Sequence, residues 1–357
     1  MYHLRFSVWR ALVSRFMKYR MNCKCVHCES SYFNLLTRNS SVFSIRVAES
    51  GKNHFKTNRG YAMFAGFLTW LGLKKEEEDH MISVIKLGVL NLQRKEYNKA
   101  ETVLHLALKL AQERQDLQAQ RYIFDLLANV AFEKGDLGKA EKLFIELTKE
   151  LLATGTSYDD NSVVEISLKL ASIYSQRSER EKAESGFKFC ISTQLKKVDT
   201  IDLQDVDGLS EHDKDTILLW AMSMDWYAKH LLSVGMLKEA KENFQKAFYI
   251  SEKLNGPSHP QTLVLMNDIG SVQSLLKEYS SAIETFEMVI KRSVGSDSND
   301  VPAFYCNLGA TYLQIGDVER GETACKMALR LAKKSEHSDA QSDAEECLAE
   351  VSSRRFS

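Results

Sequence analysis

Three cysteines and a histidine crowd into six residues near the start, Cys23, Cys25, His27 and Cys28 in the run C-K-C-V-H-C. Thiolate and imidazole ligands this close could hold zinc or copper. The spacing argues against a site: the first pair is C-x-C rather than C-x2-C, and no second ligand pair lies nearby. The remaining cysteines, Cys190, Cys306, Cys325 and Cys347, fall on apolar helix faces, where a buried small hydrophobe is expected. His259 stands beside Pro260 in a loop and reads as a turn residue rather than a general base. The motifs G-x4-G-K-[ST], G-x-G-x-x-G, H-E-x-x-H and G-x-S-x-G are missing from the sequence. The expectation is a non-enzymatic chain with no cofactor, no resident metal and no small-molecule substrate.

What remains is binding, and the elements that position it are helices. Only 3 of 357 residues are proline, against a usual level of about 5%. A long chain with so few helix breakers, 44% of it hydrophobic, reads as all-α. Seven cysteines do not make a disulfide scaffold at this length.

The net charge of −1 hides an asymmetry. Residues 1–60 carry eleven Lys/Arg and two acids, a net of +9, which leaves −10 for the rest. The first 28 residues contain no acid, and Leu4, Val8, Leu12 and Phe16 recur every four residues among Arg5, Arg10, Arg15 and Lys18. An acid-poor, arginine-bearing amphipathic helix fits a mitochondrial targeting leader, and residues 1–59 are assigned as one. A basic arm is the other reading of this head. Residues 60–80 form a linker headed by the uncharged run GYAMFAGFLTWLGL at 60–73. Fourteen helical residues span about 21 Å, less than a bilayer core needs. This run is a short or re-entrant membrane anchor, a sorting segment near a cleavage point, or an apolar cap on the first repeat.

From residue 81 to 335 one pattern recurs six times. A large residue and a small one are followed, counting from the small one, by alanine at +12, an aromatic or similar residue at +16 and a small residue at +19. The series includes Gly88-Ala100-Leu104-Ala107, Ala128-Ala140-Phe144-Leu147, Ala171-Ala183-Phe187-Cys190 and Ala228-Ala240-Phe244-Ala247. It continues with Gly270-Ala282-Phe286-Val289 and Gly309-Gly321-Cys325-Ala328. Antiparallel helices approach closely only where small residues sit at the crossing. The aromatics at +16 are expected to fill the gap to the next pair. Glycine turns are expected at Lys134-Gly135-Asp136, Val234-Gly235-Met236 and Ile315-Gly316-Asp317. An insertion near 197–215 holds seven acids and reads as a solvated loop or a contact for a basic partner segment. Residues 336–357 give a capping helix, with Ala344, Cys347, Leu348 and Val351 on one face, and a tail.

This spacing resembles the tetratricopeptide repeat, in a long form like that of kinesin light chains. The small positions lie 40, 43, 57, 42 and 39 residues apart, against a family period of about 34. The run Gly256-Pro257-Ser258-His259-Pro260-Gln261-Thr262 resembles the loop of that subclass. Asn91, Leu147 and Gly321 depart from the pattern. The resemblance implies an α-solenoid of about six helix pairs that binds protein segments along its first helices. By the family's register the partner-binding candidates are Tyr122, Asp125, Asn129 and Phe132, then Met222, Asp225 and Lys229, then Val264, Asn267 and Ser271. Chaperone-binding members hold a C-terminal carboxylate with a Lys/Asn clamp. Ile85 and Val89 stand at those clamp positions and argue against that role.

The runs Val164–Tyr174, Phe189–Thr193 and His259–Met266 resemble a mitochondrial branch of this family. That resemblance implies an inner-membrane protein that binds respiratory complex III and helps clear fragments of its Rieske iron–sulfur subunit, with no nucleic acid involved. The alternatives are a cytosolic scaffold, of kinesin-light-chain or cell-division type, and a metal protein built on Cys23–Cys28.

Overall fold

The computed structural model describes residues 79–355 apart from 204, 207, 297, 336 and 337. The leader at 1–59, the Cys23–Cys28 cluster and the apolar run at 60–73 lie outside the described residues. Among the described residues every regular element is a helix, and none is long and apolar enough to cross a membrane.

The helices form six pairs and a closing element. The pairs are α1 His80–Gln93 with α2 Tyr97–Glu113, α3 Leu117–Lys134 with α4 Leu137–Ala153, and α5 Asn161–Gln176 with α6 Arg180–Val198. They continue with α7 Glu211–Ser233 and α8 Leu237–Asn255, α9 Pro260–Leu275 and α10 Tyr279–Arg292, and α11 Val301–Gln314 and α12 Val318–Lys334. α13, Ser338–Arg355, closes the series. Among the described residues these are the helix pairs and closing helix expected of the all-α reading.

Local chemistry sets the helix starts. The side chains of Asp79, Asp116, Asp160, Ser210 and His259 accept backbone N–H groups at the first turns of α1, α3, α5, α7 and α9. Each satisfies a donor that has no partner inside its helix. His259 therefore does the work of a cap, with Nδ1 accepting from the Gln261 N–H, and Pro260 follows at a first-turn position where its missing N–H costs nothing.

One turn is repeated six times within the pairs. Lys95, Gly135, Ser178, Gly235, Lys277 and Gly316 all have φ between 61° and 82°. In each case the next residue's N–H reaches back five residues to a carbonyl at 2.9 Å, from Glu96 to Asn91, Asp136 to Ala131 and Glu179 to Tyr174. The same 2.9 Å bond joins Met236 to Leu231, Glu278 to Gln273 and Asp317 to Tyr312. This is the Schellman closure of a helix C-terminus, which favours glycine at the left-handed residue. The three glycine turns match the sequence reading. Lys95, Ser178 and Lys277 make the same turn without glycine.

The described residues divide into two units, split between Leu147 and Thr148. In the first, a Cβ on Gly88 would lie 2.6 Å from Leu104 of α2, and Phe132 meets Phe144 edge-on with centroids 6.2 Å apart. In the second, a Cβ on Gly270 would lie 2.8 Å from the Phe286 ring, and one on Gly186 would lie 2.8 Å from Ala171. The +16 residue therefore packs first against the small residue of its own pair. It also reaches the next pair: Phe187 lies 5.7 Å from Tyr227, Phe244 packs with Leu265 and Ile269, and Phe286 with Leu308 and Tyr312. For Phe187, Phe244 and Phe286 the expected filling of the gap to the next pair is observed, and Phe286 also closes the gap inside its own pair.

Cys325 and Cys347 need a correction. They are buried, as expected, but they are bonded to each other rather than serving as separate small hydrophobes. Cys190 and Cys306 are buried free thiols.

Candidate functional site

The residues singled out by the repeat register lie on three first helices. Tyr122, Asp125, Asn129 and Phe132 are on α3; Met222, Asp225 and Lys229 on α7; Val264, Asn267 and Ser271 on α9. The small residue of each helix gives a common frame. One residue sits three before it (Asp125, Asp225, Asn267) and one sits directly after it (Asn129, Lys229, Ser271). In all three helices the later residue donates back to the earlier one. Asn129 Nδ2 donates to the Asp125 carbonyl at 2.7 Å, Lys229 Nζ to Asp225 Oδ2 at 3.0 Å, and Ser271 Oγ to the Asn267 carbonyl at 3.0 Å.

Burial sorts the candidates. Asn129, Phe132, Met222, Asp225, Val264 and Asn267 are buried, whereas Tyr122, Asp125, Lys229 and Ser271 are half-buried. The first group holds the helices together, and only the second presents surface.

Within residues 148–355, polar side chains stitch one first helix to the next. Asn161 Nδ2 donates to Thr216 Oγ1 at 2.9 Å between α5 and α7, and Ser175 Oγ lies 2.7 Å from His230 Nδ1. Asn307 Nδ2 donates to Asn267 Oδ1 at 2.9 Å and approaches Ser271 Oγ at 3.4 Å between α9 and α11. Thr311 Oγ1 donates to Ser274 Oγ at 3.2 Å.

The strongest electrostatic feature bridges α7 and α9. Lys229 pairs with Asp225 and also lies 3.9 Å from Asp268. Both carboxylates are buried, and Asp225 Oδ1 and Asp268 Oδ2 accept no hydrogen bond. One ammonium serves two carboxylates. Burial raises the Asp225 carboxyl against the pull of Lys229, and burial pushes Asp268 up to about 7. Burial works against the charge on Lys229, but the two carboxylates outweigh it and raise that group. His230 is held below its ordinary value by burial. Its ring lies 5.5 Å from that of Phe187.

Asp268, His230, Ser175, Asn307 and Thr311 escaped the sequence reading. Their partners lie 36 to 55 residues away on neighbouring first helices. The one available signal was polarity at positions that the periodicity marks as buried. Among the described residues no three His, Cys, Asp or Glu side chains are placed to hold a metal ion. The arrangement offers lateral polar ties and a half-exposed lysine between two acids, which suits contact with a polypeptide.

Models of the tetratricopeptide repeat match residues 219–293 and 302–335. The chain is 32% identical over 282 residues to the Drosophila melanogaster "Tetratricopeptide repeat protein 19 homolog, mitochondrial", covering 78% of this chain and 74% of that protein. It is 32% identical over 280 residues to the Homo sapiens "Tetratricopeptide repeat protein 19, mitochondrial", again covering 78% and 74%. It is 40% identical to the Rattus norvegicus protein over 196 residues, 55% of this chain and 54% of that one. Among solved structures, BtubC from P. vanneervenii superposes with a TM-score of 0.52 at 16% identity, covering 73% of this chain and 94% of BtubC. RapI superposes at 0.54 and 12% identity, covering 80% of this chain and 75% of RapI. At such identities the likeness is one of fold.

Proposed function

The chain belongs to the family of mitochondrial tetratricopeptide repeat protein 19, and from that premise we propose that it is a non-enzymatic mitochondrial adaptor that binds respiratory complex III. In this reading it sits at the inner membrane and supports assembly and upkeep of the complex by helping to clear Rieske iron–sulfur fragments. Any peptide-bond cleavage belongs to another protein.

The observation that carries the reading is 32% identity across 74% of two relatives whose names place them in mitochondria. The acid-free, arginine-bearing first 28 residues support the same compartment. Complex III and the Rieske subunit enter through the resemblance of Val164–Tyr174 and His259–Met266 to that branch. A stacked helical array acts through the surfaces its first helices present. Tyr122 and Asp125 on α3, and Lys229 and Ser271 on α7 and α9, are the residues assigned to partner contact. The buried Asn129, Phe132, Met222, Asp225, Val264 and Asn267 hold those helices in place.

The test is affinity capture of the tagged full chain from mitochondria opened with mild detergent. Complex III subunits are expected with it, and fewer after Lys229→Glu. Capture that recovers none of them, with the bait intact, removes the proposed partner. Sequencing the N-terminus of the mature protein checks the leader, with a start after about residue 55 expected.

A further inference from the structure

The Cys325–Cys347 bridge joins α12 to α13 across 22 residues, with Cα atoms 5.7 Å apart. The pair stands where the repeat pattern fails. At the +16 position the other pairs carry Leu104, Phe144, Phe187, Phe244 and Phe286, all buried. The sixth pair carries Cys325 there, far smaller than a phenyl ring. Cys347 arrives from α13 and fills the remaining volume. A Cβ on Gly309 would lie 2.8 Å from Cys325 Sγ and 3.2 Å from Cys347 Sγ. Gly309 and Gly321 also face each other, each site 3.2–3.3 Å from the other's carbonyl oxygen. The two glycines leave room for a pair of sulfurs where one aromatic ring packs elsewhere.

Besides the bridge, α13 is held by a narrow apolar face and by polar ties: Arg354 Nη1 donates to the Leu313 carbonyl at 2.8 Å, and Arg355 pairs with Glu322. Its buried residues are Ala340, Ala344, Cys347 and Val351, three of them small. Small side chains remove little apolar surface from water, while ordering eighteen residues costs backbone entropy. A cross-link offsets that cost by restricting the unfolded chain.

We propose that this disulfide forms in the cell as the covalent fastener of the closing helix, and that the repeat array accordingly works in an oxidising compartment. Reducing compartments keep such pairs as thiols. The oxidant is a protein disulfide of a thiol–disulfide carrier. One cysteine thiolate attacks a carrier sulfur, making a mixed disulfide and releasing the carrier's second sulfur as a thiolate. The other cysteine thiolate then attacks the first, forming the Cys325–Cys347 bond and expelling the carrier's first sulfur. Two electrons and two protons pass from the pair to the carrier, which leaves as a dithiol. Both sulfurs are fully buried once α13 docks, so exchange takes place before docking and the closed bond is shielded from reductants. Cys190 does not compete, since burial pushes its thiol up to about 12. Cys306 shares the same core, with its carbonyl oxygen 3.8 Å from Cys347 Sγ, and stays free.

The proposal rests on the mitochondrial reading only for which oxidising compartment is meant. The test takes the full chain from intact cells, with thiols blocked by N-ethylmaleimide before lysis, followed by trypsin and mass spectrometry without reductant. Trypsin cuts at Lys326, Arg330, Lys333 and Lys334, so the two cysteines separate unless bonded. Linked Cys325 and Cys347 peptides are expected, with Cys190 and Cys306 unlinked. Recovery of Cys325 and Cys347 both as alkylated thiols overturns the proposal. Hydrogen exchange of the purified full chain supplies the second arm. Reductant is expected to raise exchange at least tenfold across 338–355 and leave 211–292 unchanged. Unaltered protection of 338–355 after complete reduction refutes the fastening role. Loss of complex III capture with the bridge intact would instead sink the partner reading alone.

Discussion

The side-chain amide of Asn307 donates to Asn267 Oδ1 across 2.9 Å, tying α11 to α9 at a point where Asn267 is only 4% exposed. Asn307→Ala leaves that oxygen buried without this donor. The expected loss is about 1–3 kcal/mol in urea unfolding. The paired variant with Asn267→Ala should lose less than the sum of the single changes, because both remove one interaction. Strictly additive losses would show that the bond contributes nothing.

Asp268 sets a pH dependence of unusual sign. Burial pushes its carboxyl up to about 7; Lys229 pulls it down, while Asp225 on α7 and Asp300 ahead of α11 add to the push. The unfolded chain releases the same proton near 3.8. Between these values the folded chain holds a proton that the unfolded chain has lost, so this group's contribution falls as pH rises through the window and is level above it. Asp268→Asn should therefore gain in Tm over the native chain above pH 7, with the gain shrinking toward pH 4. A Tm difference that stays flat from pH 4.5 to 8 contradicts the assignment.

Lys277 occupies the left-handed turn position with φ of 64°. A side chain in that region costs roughly 1–2 kcal/mol, part of which glycine gives back through a more flexible unfolded chain. Lys277→Gly is expected to stabilise by about 0.5–1 kcal/mol, and Gly235→Ala to destabilise by a similar amount. Thermal unfolding of the two variants should move in opposite directions, and movement in one direction would break the equivalence of the turns.

At Gly270 two effects compete. Alanine in a helix interior gains about 1 kcal/mol over glycine. Its Cβ would also lie 2.8 Å from Phe286, a ring that is fully buried and cannot swing aside, and overpacking costs about 1–3 kcal/mol. Gly270→Ala should lose about 1 kcal/mol on balance. Phe286→Leu in the same chain should recover part of that loss, and a stabilised single variant would mean the crossing is looser than the distances say.

The six pairs were legible because the crossing is a local demand. Gly88 with Leu104 and Gly270 with Phe286 meet inside one hairpin, at a fixed sequence offset, so spacing reports packing directly. The turns at Gly135, Gly235 and Gly316 were legible for the same reason. Those at Lys95, Ser178 and Lys277 were not, because the backbone adopts the left-handed state there without the residue that advertises it. The candidate site was legible as helix faces but not as contacts. The repeat register marks Asn129 and Ser271 for a partner, yet each spends a hydrogen bond on its own helix. Asn307 and His230 bond across pairs, and the offset between pairs varies from 39 to 57 residues, so no fixed spacing marks them. The Cys325–Cys347 bond is invisible in the same way, since α13 stands outside the repeat and no recurring offset pairs its residues with those of α12.

α13 lies against both α11 and α12, and its outer side carries exposed Ser342, Glu345, Glu346, Ser352 and Ser353. Charged and hydroxylated side chains fit that side to water, while its inner side, with Ala344, Cys347 and Val351, covers apolar residues of the sixth pair that would otherwise lie bare.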